Sequence, residues 1–372
     1  MGAQDRDGGW AGAVALAAVI LCTAGLLAVA LVVAVLVDSG WSRVIWGVAG
    51  GFLLWQLVPR PARLSPRAVV VPVEEAPALH RLVAEVAAAT GTRAPGEVVV
   101  DTVYATSMVP IGYLGRATLV VGLPQWTALD GDERLACVAH ELACAEPARR
   151  PAGVLIRLAD DLLTRMVVLL QPARIVQPTD QALRQADNGM GVLGGGDEMA
   201  GDRFRREVSS TVGAVGLSVI AAPVRGVRRA LRRAGRQPGD QACLVADRRA
   251  AALVGAPAVV RMLLSTLGVP RGWVAAEVAA RRRTDAFVAM AEAEPPAPEE
   301  LARRLAAATA TGERTDPHHA STASRVEALG RGDVVVTRGV GPAVVRAADR
   351  ELDTYRERLA RRFAEELVHG RS

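Results

Sequence analysis

Arg134-Leu135-Ala136-Cys137-Val138-Ala139-His140-Glu141-Leu142-Ala143-Cys144 is the stretch on which the fold of this chain turns. Asp130, Gly131 and Asp132 stand just before it and can cap a helix that runs from about Glu133 through Cys144. On a helix, positions i and i+4 share a face. A His-Glu-x-x-His run therefore offers two imidazoles to one metal ion and leaves the glutamate one step round to act on a water. Here His140 and Glu141 hold the first two places, and Cys144 stands where the second histidine would be. A His-Glu pair alone is a weak signal, so its surroundings decide how it is read.

On the N-terminal side, Glu74 to Thr90 has helical spacing, with Leu79, Leu82, Val83, Val86 and Ala87 on one side. Glu97 to Val103 and Thr118 to Gly122 read as short strands. On the C-terminal side, Gly153 to Leu170 is apolar but carries Arg157, Asp160, Asp161 and Arg165, which suits an amphipathic helix better than a membrane span. Residues 172–206 are polar and Gly-rich, and are expected to form a flexible loop, a candidate lid. Residues 208–224 are uncharged and precede six arginines between Arg225 and Arg236. They are expected to pack in the domain or to lie in a membrane interface; the arginines then touch anionic headgroups or form a solvated basic helix. Helical patterns begin at Cys243 and recur over Glu299–Ala308 and Val344–Val368. There is no internal repeat.

Upstream of all this, residues 11–37 carry no charge. As a helix they extend about 40 Å, more than the roughly 30 Å of a bilayer core. A second span is read over residues 42–58: Val44 to Val58 is apolar again, Arg43 has to snorkel, Trp41, Trp46 and Trp55 are placed like interfacial anchors, and Gly47, Gly50 and Gly51 allow close packing; an interfacial helix is the alternative. Arg60, Arg63 and Arg67 follow, which by the positive-inside rule puts the rest of the chain in the cytoplasm. The expectation is a two-helix transmembrane hairpin and linker over residues 1–68, a domain over 69–372, and a multi-pass plasma-membrane protein with the lipid bilayer as one partner.

The 372 residues are 51% apolar and carry a formal charge of +5. All 44 basic residues are arginine, as a GC-rich coding sequence would produce. Aromatics are 3% of the chain and no nucleic-acid-binding motif appears, so no nucleic-acid partner is expected. Four cysteines are too few for a disulfide scaffold. Cys22 reads as a small apolar residue, and so does Cys137, seven residues before Cys144 on the same helix.

The ordered surroundings of His140 resemble the HtpX-like membrane zinc metallopeptidases, metallopeptidase family 48, which includes the CAAX prenyl protease. The approach is Glu75-Ala76-Pro77-Ala78-Leu79-His80, then Gly115-Arg116-Ala117-Thr118-Leu119-Val120-Val121-Gly122-Leu123-Pro124, then Leu129-Asp130-Gly131-Asp132-Glu133-Arg134-Leu135. The family's later motif, a glutamate ligand followed four residues on by aspartate, is similar to Cys243-Leu244-Val245-Ala246-Asp247. Its late His-Pro and Arg element is similar to the stretch from Asp316-Pro317-His318-His319 to Arg325. The likeness covers roughly residues 69–330, and the ordered set is more specific than any single motif. It implies a mainly α (α+β) zincin-like metallopeptidase domain with a small β element, and a peptide or protein substrate, membrane proteins among the candidates.

By the same resemblance, Glu141 is the general base, Asp247 a carboxylate that orients a ligand, and Arg325 an ion-pair partner. His318 or His319 faces the cleft or belongs to a solvated loop. Two expected ligands are changed, both to cysteine, at Cys144 and Cys243. Three readings follow. His140, Cys144 and Cys243 hold one zinc ion as a Cys₂His set with an open fourth place. Or the chain is a catalytically inactive pseudopeptidase that binds a partner. Or the two cysteines form a disulfide that closes the site, which a reducing cytosol disfavours. His80 and His369 have no supporting context and read as ordinary surface residues.

Overall fold

The computed structural model describes residues 64–65, 67–112, 115–170, 211–267, 271–311, 320–331, 335–337 and 339–369, together with Gly40. They belong to two compact units, one formed by residues 64–146 and 238–372 and the other containing residues 147–237.

The first unit contains a four-stranded sheet of β1 (Val69–Val70), β2 (Glu97–Asp101), β3 (Ser107–Ile111) and β4 (Arg116–Gly122), in the order β1-β2-β4-β3. β2 and β4 are parallel; the outer pairings are antiparallel. The two central strands are apolar in a continuous run, and Val98, Val99, Val100, Leu119 and Val121 are all buried, as expected for strands covered on both faces. β1 and β3 are the outer strands. The Met108 N–H of β3 points away from β4, toward Glu141. Pro110, two residues on, faces the same way, so its missing N–H removes no bond from the ladder.

Around the sheet stand α1 (Pro77–Thr90), α2 (Leu123–Ala128) and α3 (Gly131–Ala145). Later helices of the unit are α6 (Ala256–Ser265), α7 (Trp273–Arg281), α8 (Ala286–Ala291), α9 (Pro298–Thr311), α10 (Thr322–Gly330) and α11 (Pro342–His369). α4 (Pro151–Leu170) belongs to the other unit, and the boundary between units falls inside α5 (Thr211–Val254). The expected face of α1 is the buried one: Leu79, Leu82, Val83, Val86 and Ala87 enter the core with Trp126, Leu142, Leu352 and Phe363. α1 ends at Gly91, whose φ of 63° is the left-handed conformation that glycine adopts without strain.

α1 starts at Ala76, which has no side-chain oxygen to cap it. The cap comes from α11 instead. Glu351 accepts from the Ala78 N–H at 2.9 Å and from the Leu79 N–H at 2.8 Å, one bond to each carboxylate oxygen. This satisfies two orphan donors and sets a negative charge at the positive end of the helix. Glu351→Ala is expected to lower stability by about 1–2 kcal/mol in a urea titration.

In the other unit, Ala159, Leu163, Met166 and Val167 of α4 pack on Ala221 and Val224 of α5. Asp160 lies 3.4 Å from Arg228 and 3.2 Å from Arg232. Part of the expected apolar segment 208–224 is thus buried against a helix of its own unit. It also does not end before the arginines. A single helix runs through them to Val254, where two separate elements were expected.

Two expectations need correction. Among the described residues no helix is long and apolar enough to cross a membrane. α4 has the length, but Arg157, Asp160, Asp161 and Arg165 interrupt it. The expected transmembrane hairpin, with spans at 11–37 and 42–58, lies outside the described residues, as does the loop 172–206. The fold class is therefore a mainly helical protein with a small sheet. The transmembrane hairpin is withdrawn from it, and with it the multi-pass plasma-membrane location that rested on the hairpin.

Candidate metal centre

The sequence accounts for where α3 starts. Asp130 accepts from the Glu133 N–H at 2.8 Å, and Glu133 accepts in return from the Asp130 N–H at 3.0 Å. This reciprocal cap holds the first turn. Leu135, Ala136, Val138, Ala139, Leu142 and Ala143 are buried, so the helix is covered almost all round and its polar residues are held inside the protein.

Two helices then supply matched pairs. His140 and Cys144 are four apart on α3; Cys243 and Asp247 are four apart on α5. Each pair occupies one helix face. One nitrogen of His140 and the sulfurs of Cys144 and Cys243 all lie within 4.8 Å of one another, a group that could hold a metal ion. The sulfurs are 3.3 Å apart. A tetrahedral ion with metal–sulfur bonds of about 2.3 Å would set them about 3.8 Å apart, so loading asks for a shift of roughly half an ångström. His140 is 3% exposed, Cys243 0%, Asp247 1% and Arg325 5%, while Cys144 and Glu141 are half-buried.

Behind His140 stands a buried ion pair. Asp247 Oδ1 is 2.8 Å from His140 Nδ1. Arg325 on α10 donates to both carboxylate oxygens of Asp247, from Nε and from its terminal nitrogen, at 2.7 Å each. That same terminal nitrogen lies 3.0 Å from His140 Nδ1 and 3.1 Å from Nε2. A donor equally near both ring nitrogens must stand over the ring, because in the ring plane it would collide with the carbon between them. Neither contact therefore uses the in-plane lone pair of Nε2. With Nδ1–H donating to Asp247, the ring is held in the tautomer that offers Nε2 to a ligand.

The charges agree with this picture. Burial pushes the Asp247 carboxyl up, but its bonds to Arg325 and the neighbouring His140 outweigh that and hold it below the usual carboxylate range. Burial works against the Arg325 charge, yet the bonds and charge of Asp247 raise its pKa above the ordinary arginine value. The hydrogen bond with Cys243, then burial, push the Cys144 thiol far up. The Asp247 and Arg325 charges cancel, and a dication that displaces two thiol protons adds no net charge to the ligand set. The donor set and its charge thus fit a divalent ion.

The structure brings together six of the eight residues singled out above: His140, Glu141, Cys144, Cys243, Asp247 and Arg325. His318 and His319 lie outside the described residues. Cys137 is fully buried, its thiol pushed up to about 12 by burial, with Sγ 3.9 Å from Gln125 Oε1. It belongs to the core cluster and not to the metal-holding group. His80 differs from expectation: it is half-buried and its Nε2 is 2.8 Å from the Val71 carbonyl, tying α1 to the end of β1. Sequence reading missed Met108, whose backbone N–H donates to Glu141 Oε2 at 3.3 Å. A backbone contact leaves no trace in residue type, so no pattern could have found it.

No protein-family model, no curated protein and no solved structure matches this chain. The fold and the site define its class: a mainly helical domain with a small sheet and a largely buried His-Cys-Cys group, its Cys144 half-buried, beside a hydrogen-bonded Asp–Arg pair.

Proposed function

We propose that this protein is a zinc-dependent metallopeptidase similar to the HtpX-like family, with a thiolate-rich site. The observation that carries the reading is the convergence of His140, Cys144 and Cys243 within 4.8 Å, with Asp247 behind the histidine. A carboxylate–histidine pair behind a ligand set is the arrangement that orients an imidazole toward zinc. Imidazole and thiolate are ligands that zinc takes, and three protein ligands leave a place open.

Zinc, when bound, supplies Lewis acidity toward water and a peptide carbonyl. The residues of the chain do the rest. Glu141, next to His140 on the helix and half-buried, is the carboxylate that takes a proton from the attacking water and returns it to the leaving amine. The Met108 N–H holds one of its oxygens against β3, which fixes the direction of the other. The edge of β3 lies beside this carboxylate, where an extended peptide can align. Two thiolates donate more charge than an imidazole and a carboxylate would, so catalysis is expected to be slower than at a His₂Glu site.

A second reading is a pseudopeptidase, and one observation favours it: the Met108 bond occupies one of the two Glu141 oxygens, both of which a free catalytic carboxylate offers to water. Glu141→Gln separates the two. Zinc per chain, measured by elemental analysis of anaerobically purified protein, is expected to stay at the parent's value. Hydrolysis of an unfolded protein substrate is expected to fall by about 10²-fold or more. A variant that cleaves as fast as the parent removes Glu141 from the mechanism. A parent that holds zinc and cleaves nothing supports the binding protein instead.

A further inference from the structure

The two sulfurs of the metal group differ in one respect that the hydrolytic reading does not use. Cys144 is half-buried, while Cys243 is 0% exposed and 3.3 Å away. The pair thus joins a partly exposed cysteine to a wholly buried one, the arrangement of a reacting cysteine with a resolving partner. The residues are 99 apart in sequence and stand on different helices, α3 and α5, so no short chain segment restricts their approach. A disulfide bond of about 2.05 Å requires the sulfurs to close by a little over 1 Å, whereas a metal ion requires them to open by about half that. The pair therefore stands between two geometries that exclude each other.

We propose that Cys144 and Cys243 form a reversible redox switch: a disulfide between them ejects the metal ion, and reduction restores the site. The inference rests on the metal reading above. The oxidant is a low-molecular-weight disulfide. The Cys144 sulfur attacks one of its sulfurs; that S–S bond breaks, one small thiol leaves, and a mixed disulfide forms on Cys144. The Cys243 sulfur then attacks the Cys144 sulfur, the mixed disulfide breaks, and the second small thiol leaves. Two electrons pass from the cysteine pair to the small disulfide. The metal dication goes to solvent, and two protons taken from solvent in its place complete the two small thiols. Cys144 is the entry point because Cys243 has no accessible surface. Cys137 takes no part: it is buried and lies in the core cluster outside the metal-holding group.

The test uses the full chain, purified anaerobically, loaded with zinc alone and equilibrated against glutathione buffers from fully reduced to fully oxidised. Three quantities are followed: zinc released to a chromogenic chelator, the Cys144–Cys243 disulfide by peptide mass mapping, and helical content by circular dichroism. The expected result is one zinc released per Cys144–Cys243 disulfide formed, with helical content kept, and full reloading after reduction. Zinc retained by protein that carries the disulfide overturns the switch. So does zinc-loaded protein whose two cysteines stay reduced in the oxidised buffers. Reduced protein that takes up no zinc overturns the metal reading itself, whatever state the cysteines reach. The Cys144→Ser variant is expected to keep its helical content and to form no intramolecular disulfide.

Discussion

Arg325→Met is expected to destabilise the protein by about 3–5 kcal/mol at neutral pH, read as a fall in the urea midpoint of the metal-free chain. The guanidinium makes two 2.7 Å bonds to Asp247, and both groups are almost wholly buried. Methionine keeps most of the volume but leaves a carboxylate in the interior without its cation. The cost of that orphaned charge, and not the strength of the pair, sets the size of the effect. Asp247→Asn in the same chain removes the charge as well, so the double variant is expected to regain a large part of the loss. An Arg325→Met protein within about 1 kcal/mol of its parent would show that Asp247 is not charged in the fold.

The same pair predicts a pH dependence. Arg325 and His140 hold the Asp247 carboxyl below its ordinary value, despite the upward push of burial. A group whose folded pKa is depressed contributes stability above its unfolded pKa, about 3.9, and loses it as pH falls through the folded value. In the parent that contribution is complete at neutral pH and declines below about pH 4. Without Arg325 the carboxyl takes up a proton more readily, so the penalty of the substitution is expected to shrink as the solution is acidified. Urea titrations of both proteins between pH 7 and pH 3 measure it. A penalty that grows on acidification contradicts the assignment.

Cys243→Ala is the second large effect, and it acts on the metal. A complete structural zinc site binds with an apparent 10–16 kcal/mol, so losing one of three protein ligands is expected to weaken binding on the order of 10²- to 10⁴-fold. Asp247→Asn, which keeps all three ligands but loosens the histidine, is expected to cost about 10- to 100-fold. Cys137→Ser is expected to leave zinc affinity unchanged, because Cys137 points into the core beside Gln125. Competition against a chelator of known affinity, under reducing conditions, orders the three. A Cys243→Ala protein with the parent's affinity would exclude Cys243 as a ligand.

The local elements were legible in the chain. α3 lies where the apolar spacing and Asp130 put it, because its cap is closed by residues three apart. The buried face of α1 follows from periodicity, and β2 and β4 from short runs rich in β-branched residues. The pairing of His140 with Cys144 follows from the helical repeat. The hairpin that hydropathy suggested at 11–37 and 42–58 lies outside the described residues, and among those described no helix is long and apolar enough to cross a membrane. The separate elements at 208–224 and 243–254 were misjudged. Helix propensity weighs each residue weakly, and the face of α5 that packs on α4 runs on past Arg225 to Val227 and Leu231, so the arginines mark no break.

What tertiary structure alone decided is which of these residues meet. No local rule brings Cys243 to Cys144 across 99 residues, or Arg325 to Asp247 and His140 across 78 and 185. None could assign Glu351 to the head of α1. The sequence determined that α3 presents an imidazole and a thiol on one face with a carboxylate beside them. The fold determined that a second thiol and a hydrogen-bonded ion pair stand opposite. The physical reason is range: propensity, capping and periodicity act within a few residues, whereas burial of an ion pair or a metal group depends on every helix that excludes water from it.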